Sequence, residues 1–434
     1  MVFISFLGGC REIGRSAILI ESNSGAKCIL DYGIRFEKGD RLPYEADLSN
    51  LNAVALTHSH IDHSGAIPFL YKTYEGPFFT NPVSLEILDV LVKDMLKISN
   101  FPYPFGLREM EKVKQNAYFL KNRTRCKISD NFFITFINAG HIPGSVSILI
   151  EVDKKKILYS GDINTQTTNL VYAANTSEIP EIDTLIIEST YSLKEHPARD
   201  QLEMEFVEKI IDITENGGKV LIPAFGVARS QEALLILDKY NYPGKIFIDG
   251  LARKICKVYL DYPESIKNQN IFTKALKKTQ FVLKRKGRNI AKKSNGVIIT
   301  PSGMLKGGAV IEYIQTILQD PYSAIFLVGY QVEGTPGRGL LDSGIFEFNE
   351  GGSGIQSIDN IKLKAKCQYD YFDFSSHVDN LHIHNYIDNI NFQNNSNDIF
   401  CVHGDSKSTT SLASKLAEKG FNSVAPETGE VYKA

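Results

Sequence analysis

At 434 residues the chain is long enough for two or three domains and for more than one buried core. Its 43% apolar and 23% charged residues are ordinary globular values that exclude a disordered or fibrous protein, and no stretch reaches the ~18 uninterrupted apolar residues of a membrane span. A formal net charge of −2 excludes nucleic-acid binding through a global basic field, so any such binding needs a local patch.

The N-terminal Met-Val-Phe-Ile-Ser-Phe-Leu lacks the basic start and long apolar run of a signal peptide. Cys10, Cys28, Cys126, Cys256, Cys367 and Cys401 form no C-x-x-C pair, which argues against a zinc ribbon or redox dithiol and for a reducing compartment. A cytoplasmic protein without a membrane partner is expected.

The first ~190 residues read as short strands joined by tight turns, with few long helices. Apolar runs at 2–7, 16–21 and 28–31 come first, and Val54 to Thr57 leads into a histidine cluster. Strands over 132–138, 146–152 and 156–159 follow. From about residue 197 the texture changes. Leu202, Phe206, Val207, Ile210 and Ile213 recur at helical spacing, Gly217-Gly218 stops that helix, and a strand begins at Val220. Helices over 230–239, 253–262 and 310–318 then alternate with strands over 245–249, 296–300 and 324–329, which implies a separate parallel α/β layer. The Gly-, Ser- and Asn-rich 349–360 reads as a loop near a domain boundary, and the Asn-rich 390–398 as a surface loop.

Four metal-type residues stand within six positions: His58, His60, Asp62 and His63, in Thr-His-Ser-His-Ile-Asp-His-Ser-Gly. In an extended stretch i and i+2 share a side, so His58 and His60 can grip one ion while Asp62 and His63, at the turn, face a second position. Imidazole nitrogen and carboxylate oxygen are ordinary zinc ligands. His141, in Asn-Ala-Gly-His-Ile-Pro-Gly, and Asp162, in Tyr-Ser-Gly-Asp-Ile-Asn, stand at strand ends behind small residues that let backbone crowd a metal centre. Both read as further ligands.

This order of motifs resembles the metallo-β-lactamase superfamily. Asp31, in Leu-Asp-Tyr-Gly, matches the superfamily's first motif, an acidic residue that supports the ligand loop, and Asp162 matches its bridging carboxylate. Because that superfamily also hydrolyses thioesters, lactams and lactones, these motifs alone leave the substrate open. The rest of the chain resembles the β-CASP nuclease branch. Ile-Glu-Ser-Thr-Tyr at 187–191 looks like motif A with Glu188, Phe-Ser-Ser-His-Val-Asp at 374–379 like motif B with His377, and Val-His-Gly-Asp at 402–405 like motif C with His403. The strings at 223–232, 300–305 and 329–338 also look like the branch, and prokaryotic cleavage-and-polyadenylation-specificity-factor-like ribonucleases are the nearest group. Two departures occur: Ala228 before Arg229, where glycine is usual, and Asp405, where glutamate is common.

The resemblance implies an α/β protein: a metallo-β-lactamase αββα sandwich over 1–196 and 375–434 with an inserted parallel α/β β-CASP domain over 197–374. It implies a metal-dependent hydrolase of single-stranded RNA, since RNA-cutting members carry a histidine at motif C. Two zinc ions are implied, with manganese as the alternative. His58, His60, His141 and Asp162 would hold one, and Asp62, His63, Asp162 and His403 the other. His377, oriented by Glu188, is the candidate acid for the leaving oxygen, and Asp62 is the third catalytic candidate. Endonucleolytic cutting is expected, with 5′-to-3′ exonuclease action, a non-catalytic RNA-processing scaffold and a small-ester hydrolase as alternatives. A homodimer and RNA-processing or transcription-termination partners are implied by resemblance alone.

For substrate grip, the basic run Lys274, Lys277, Lys278, Lys284, Arg285, Lys286, Arg288, Lys292 and Lys293 offers phosphate contacts. Ser302, Gly303, Gln331, Thr335 and Arg338 are further candidates, and a cleft between the two domains would admit single strands. His196 is read as facing substrate or as structural. His382 and His384, two apart on a helix, are read as surface residues.

Overall fold

The computed structural model describes residues 1–36, 41–99, 101–348, 361–393 and 396–434. The expected loop at 349–360 lies outside them, as do residues 394 and 395 of the Asn-rich stretch. The chain divides into two compact units. The first holds Met1–Thr167, Val171–Glu195 and Ser376–Ala434; the second holds Thr168–Leu170 and His196–Ser375.

Two seven-stranded mixed sheets form the first unit. One runs, strand by strand, Val431–Lys433, Phe3–Gly8, Ala17–Glu21, Lys27–Leu30, Leu51–Ala55, Phe78–Thr80 and Ala117–Phe119. The other runs Asn422–Val424, Asp398–Val402, Thr184–Glu188, Lys155–Tyr159, Val146–Val152, Phe132–Asn138 and Arg125–Ser129. Alternation along the strands explains the layering. Ile18 and Ile20 point into the core between the sheets, where they meet Phe132, Ile134 and Ile148, while Ala17 and Leu19 point outward. The outward face is covered by Leu85, Leu88 and Val92 of the helix Pro82–Ile98 and by Met110 and Val113 of the helix Leu107–Gln115. On the far side, Leu185, Ile187 and Ile399 meet Ile383 and Ile387 of the helix Asn380–Asp388 and Leu412 and Leu416 of the helix Ser406–Glu418. Strands buried on both faces read as continuous apolar runs, and these do. The result is an αββα sandwich.

Long helices are few before residue 190, as expected, but the strand reading passes over Pro82–Ile98, a helix of 17 residues. Its signals are in the sequence. Asn81 caps it by accepting the Val83 N–H, Pro82 stands in its first turn, and Leu85, Leu88, Val92 and Met95 keep helical spacing. Leu107–Gln115 likewise starts where the Glu109 carboxylate accepts the Gly106 N–H at 2.8 Å.

The second unit is built on six parallel strands in the order Thr279–Phe281, Lys245–Ile248, Gly296–Thr300, Lys219–Pro223, Ala324–Leu327 and Gln368–Tyr371. The four inner strands alternate with helices as the sequence predicts, with boundaries differing by only a few residues: Leu251–Asp261 where 253–262 is expected, and Ile311–Leu318 where 310–318 is expected. The outer strands Thr279–Phe281 and Gln368–Tyr371 are not predicted. An antiparallel pair, Ile345–Phe348 with Ile361–Lys364, is additional. No helix among the described residues is long and apolar enough to cross a membrane.

Candidate metal centre

The strand Leu51–Ala55 delivers the histidine segment at its carboxyl end, and the short helix Ile61–Ser64 turns it back. His58 and His60 share a side, with His58 Nε2 lying 3.1 Å from His60 Nδ1. The loop after Phe132–Asn138 brings His141, whose Nε2 lies 3.1 Å from the same His60 nitrogen. Ligand atoms at the corners of a tetrahedral zinc site, with bonds of about 2.0 Å, stand about 3.3 Å apart. One ligand atom from each of His58, His60, His141 and Asp162 lies within 4.8 Å of the others, and the same holds for Asp62, His63 and His403.

Asp162 stands between these two groups. Its Oδ2 lies 3.4 Å from His58 Nε2 and 3.5 Å from His141 Nε2. Its Oδ1 lies 3.2 Å from His63 Nε2 and 3.5 Å from His403 Nε2. Each oxygen thus faces a different group. Gly161, at φ +55° with no room for a Cβ against Thr57, lets the chain place it there.

Hydrogen bonds on the far side of the rings set the tautomers. His141 Nδ1 donates to the carbonyl of Ser376 at 2.8 Å, and His63 Nδ1 to Asp31 Oδ2 at 2.7 Å. The Thr57 hydroxyl donates to Asp31 Oδ2, which leaves its oxygen to accept from His58 Nδ1 at 3.1 Å. In each of these three rings the inward Nε2 therefore carries a lone pair, as a ligand requires. Asp31 is buried and also accepts the Thr57 N–H and the Tyr159 hydroxyl, at 2.7 Å and 2.9 Å.

These residues fit a metal. His63 Nε2 and Asp162 Oδ1 are buried and have no hydrogen-bond partner, and with the His63 proton on Nδ1 both present lone pairs to the same space. A cation satisfies both. Burial, reinforced by His58, pushes the His60 pKa down to about 3, and burial with His377 pushes His141 well below the usual histidine value, so both are neutral donors. Burial also works against charge on His63, but the carboxylates of Asp162 and Asp31 outweigh it and raise its pKa well above the ordinary value. Two carboxylates around one imidazole draw positive charge to that point.

Beside the cluster, His377 Nδ1 lies 2.9 Å and 3.2 Å from the oxygens of the buried Glu188, which also accepts the Ile163 N–H at 2.7 Å. His377 Nε2 lies 3.9 Å from Asp162 Oδ2, and the ring keeps some exposure to solvent. Its side chain can pass a proton between solvent and the cluster.

Elsewhere in this unit, His382 and His384 lie on the helix Asn380–Asp388. Both are half-buried, and His382 is tied to Asp379 Oδ1 at 2.6 Å, because Asp379 caps that helix. In the second unit, His196 Nδ1 lies 3.2 Å from Asp373. Gln331 there is buried, and its amide donates to the carbonyls of Gly303 and Gly329. Ser302 accepts the Lys306 N–H, Thr335 caps the helix Pro336–Ser343, and the exposed Arg338 pairs with Asp342. The basic run is divided: Lys274 and Lys278 pair with Asp238, Arg288 with Asp249 and Lys292 with Glu312. Lys277, Lys284, Arg285, Lys286 and Lys293 are exposed. Sequence reasoning misses Ser16, Thr57, Tyr159 and Ser376, which orient site residues through a hydroxyl or a backbone carbonyl and carry no pattern that marks them.

Three family domains match along the chain: a beta-lactamase superfamily domain at residues 28–217, a Beta-Casp domain at 230–340 and a Zn-dependent metallo-hydrolase RNA specificity domain at 362–426. RNase aCSPSF2 of Saccharolobus solfataricus is 33% identical over 432 residues, 99% of this chain and 84% of that one. The chain belongs to the β-CASP ribonuclease family. As a β-CASP family member it is a metal-dependent hydrolase, and its αββα sandwich with an inserted parallel layer is that family's fold. The RNase J-like protein of Methanocaldococcus jannaschii is 36% identical over 87% of each chain. Transcription termination factor FttA of the same organism is 32% identical over 77% of this chain and 57% of that one. A solved structure of a protein of unknown function from Enterococcus faecalis shares the fold at a TM-score of 0.64 and 15% identity, over 99% of both chains.

Proposed function

We propose that this β-CASP protein is a two-zinc ribonuclease that cuts single-stranded RNA internally, in RNA processing, decay or 3′-end formation. The observation that carries the reading is the Asp162 carboxylate, with one oxygen facing His58 and His141 and the other facing His63 and His403. His58, His60, His141 and Asp162 would hold one ion, and Asp62, His63 and His403 the other, with Asp162 facing both groups. The donor set of imidazoles and carboxylates favours zinc. Bound there, such ions supply Lewis-acid polarisation of a phosphate oxygen and lower the pKa of water towards ~7. Glu188 fixes the His377 ring by its Nδ1, so that Nε2 delivers a proton to the leaving 3′-oxygen. The products are a 5′-phosphate and a 3′-hydroxyl.

RNA as substrate is supported by the RNA specificity domain match and by the ribonuclease names of the relatives. Likeness to transcription termination factors supports a place in RNA 3′-end formation. The test incubates zinc-loaded protein with one single-stranded RNA in 5′-labelled and circular forms, beside matching DNA, with His403→Ala as control. Cleavage of the circle that the variant loses is the expected result. Release of 5′ mononucleotides with the circle intact would make the protein an exonuclease. A cyclic phosphate end would refute the proposed chemistry, and no cleavage with two metals bound would favour a scaffold.

A further inference from the structure

Asp31 holds His63 directly and His58 through Thr57, whereas His403 and Asp62 are held from behind by another part of the chain. His58 leans on Thr57 and His141 on the Ser376 carbonyl. His403 and Asp62 lean on the loop after the strand Phe3–Gly8. Ser16 Oγ lies 2.9 Å from His403 Nδ1, the Ser16 N–H donates to the Asp62 carbonyl at 2.8 Å, and the His403 N–H donates to the Gly9 carbonyl at 2.6 Å. Ser16 is 2% exposed, so water does not readily replace it. The loop is shaped for this contact: Gly9 and Gly14 have positive φ, and a Cβ on Gly9 would stand 2.9 Å from the Ser16 hydroxyl.

We propose that Ser16 is a positioning residue for the second metal alone: it fixes the His403 ring by accepting its Nδ1–H and, through its backbone, anchors Asp62. With His403 Nε2 turned towards Asp62 and Asp162, at 3.8 Å and 3.5 Å, the ligand role puts the ring proton on Nδ1. Ser16 Oγ is the acceptor that selects this tautomer and holds the ring plane. Outer partners of this kind are worth about 10–100-fold in metal affinity. This inference rests on the two-metal reading above and adds that the two ions are lost separately.

The experiment titrates zinc into metal-free wild-type, Ser16→Ala and Ser16→Cys protein by calorimetry and records cobalt(II) spectra at one and two equivalents. Ser16→Ala is expected to weaken one class of site by about 10–100-fold and leave the other unchanged, with the cobalt spectrum stopping at its one-equivalent form. Ser16→Cys, which retains a weak acceptor, is expected to fall between the two. Melting of the metal-free proteins separates loss of packing from loss of a ligand. Equal weakening of both classes, or unchanged affinity of both, would overturn the assignment of Ser16. Wild-type protein that binds fewer than two ions would overturn the two-metal reading and this inference together.

Discussion

At the scale of single residues, one carboxylate organises both ligand groups. Asp31 accepts from Thr57 twice, from His63 and from Tyr159 while fully buried. Removing it strands several buried donors, each worth about 1–3 kcal/mol. Asp31→Ala is therefore expected to lose at least ~3 kcal/mol of stability by denaturant unfolding and to bind zinc about 10–100-fold more weakly. His377 behaves oppositely: it clusters with Asp162 and Glu188 and not with the other proposed ligands, and its Nδ1 is taken by Glu188. His377→Ala is expected to keep its full metal content by elemental analysis while turnover falls about 10²–10⁴-fold. Loss of metal together with turnover would make His377 a ligand. The proposed ligand histidines His58, His60 and His63 are legible as H-x-H-x-D-H, because metal chemistry admits few residue types. Ser16 is invisible in the sequence, because a serine hydroxyl fits almost any polar setting.

At the scale of elements, turns and buried charge set the geometry. Gly161 joins the strand Lys155–Tyr159 to Asp162 at φ +55°, with Thr57 2.7 Å from where a Cβ would stand. Gly161→Ala combines a left-handed alanine with a clash against the residue that orients His58. It is expected to cost about 2 kcal/mol or more, measurable as a lower denaturation midpoint. In the second unit, Glu232 on the helix Arg229–Lys239 takes the Arg199 guanidinium at 2.6 Å and both N–H groups of Asn169 at 3.0 Å, all through one oxygen. Glu232→Ala leaves a largely buried arginine short of a partner, and a loss of about 3 kcal/mol is expected by chemical denaturation. The helical spacing of Leu202 to Ile213 is readable in the chain itself. That Glu232 is 2% exposed is not, since Ser-Gln-Glu at a helix start reads as solvated surface.

At the scale of the whole molecule, a net charge of −2 leaves RNA binding to local patches. The exposed Lys284, Arg285 and Lys286 begin the helix Arg285–Lys293, whereas neighbouring basic residues are spent on Asp238, Asp249 and Glu312. Replacing these three with alanine is expected to weaken binding of single-stranded RNA. The slope of log affinity against log salt should fall by about 0.7 for each phosphate that the variant no longer neutralises. An unchanged slope in filter-binding titrations would show that this face meets no RNA backbone.

Apolar patterning by itself marked strands in both units and alternating helices in the second, because a strand buried on both faces and a one-sided helix each leave a characteristic apolar spacing. The αββα layering was implied by the resemblance. Residue type and spacing marked His58, His60, Asp62, His63, His141 and Asp162 as candidate ligands in the linear chain, and the resemblance added His403. Only the tertiary structure decided which oxygen of Asp162 faces which group and that Ser16 meets His403 across 387 positions of chain. Those contacts depend on where separate strands end relative to one another. That relation is set by packing of the whole sandwich and has no local signature.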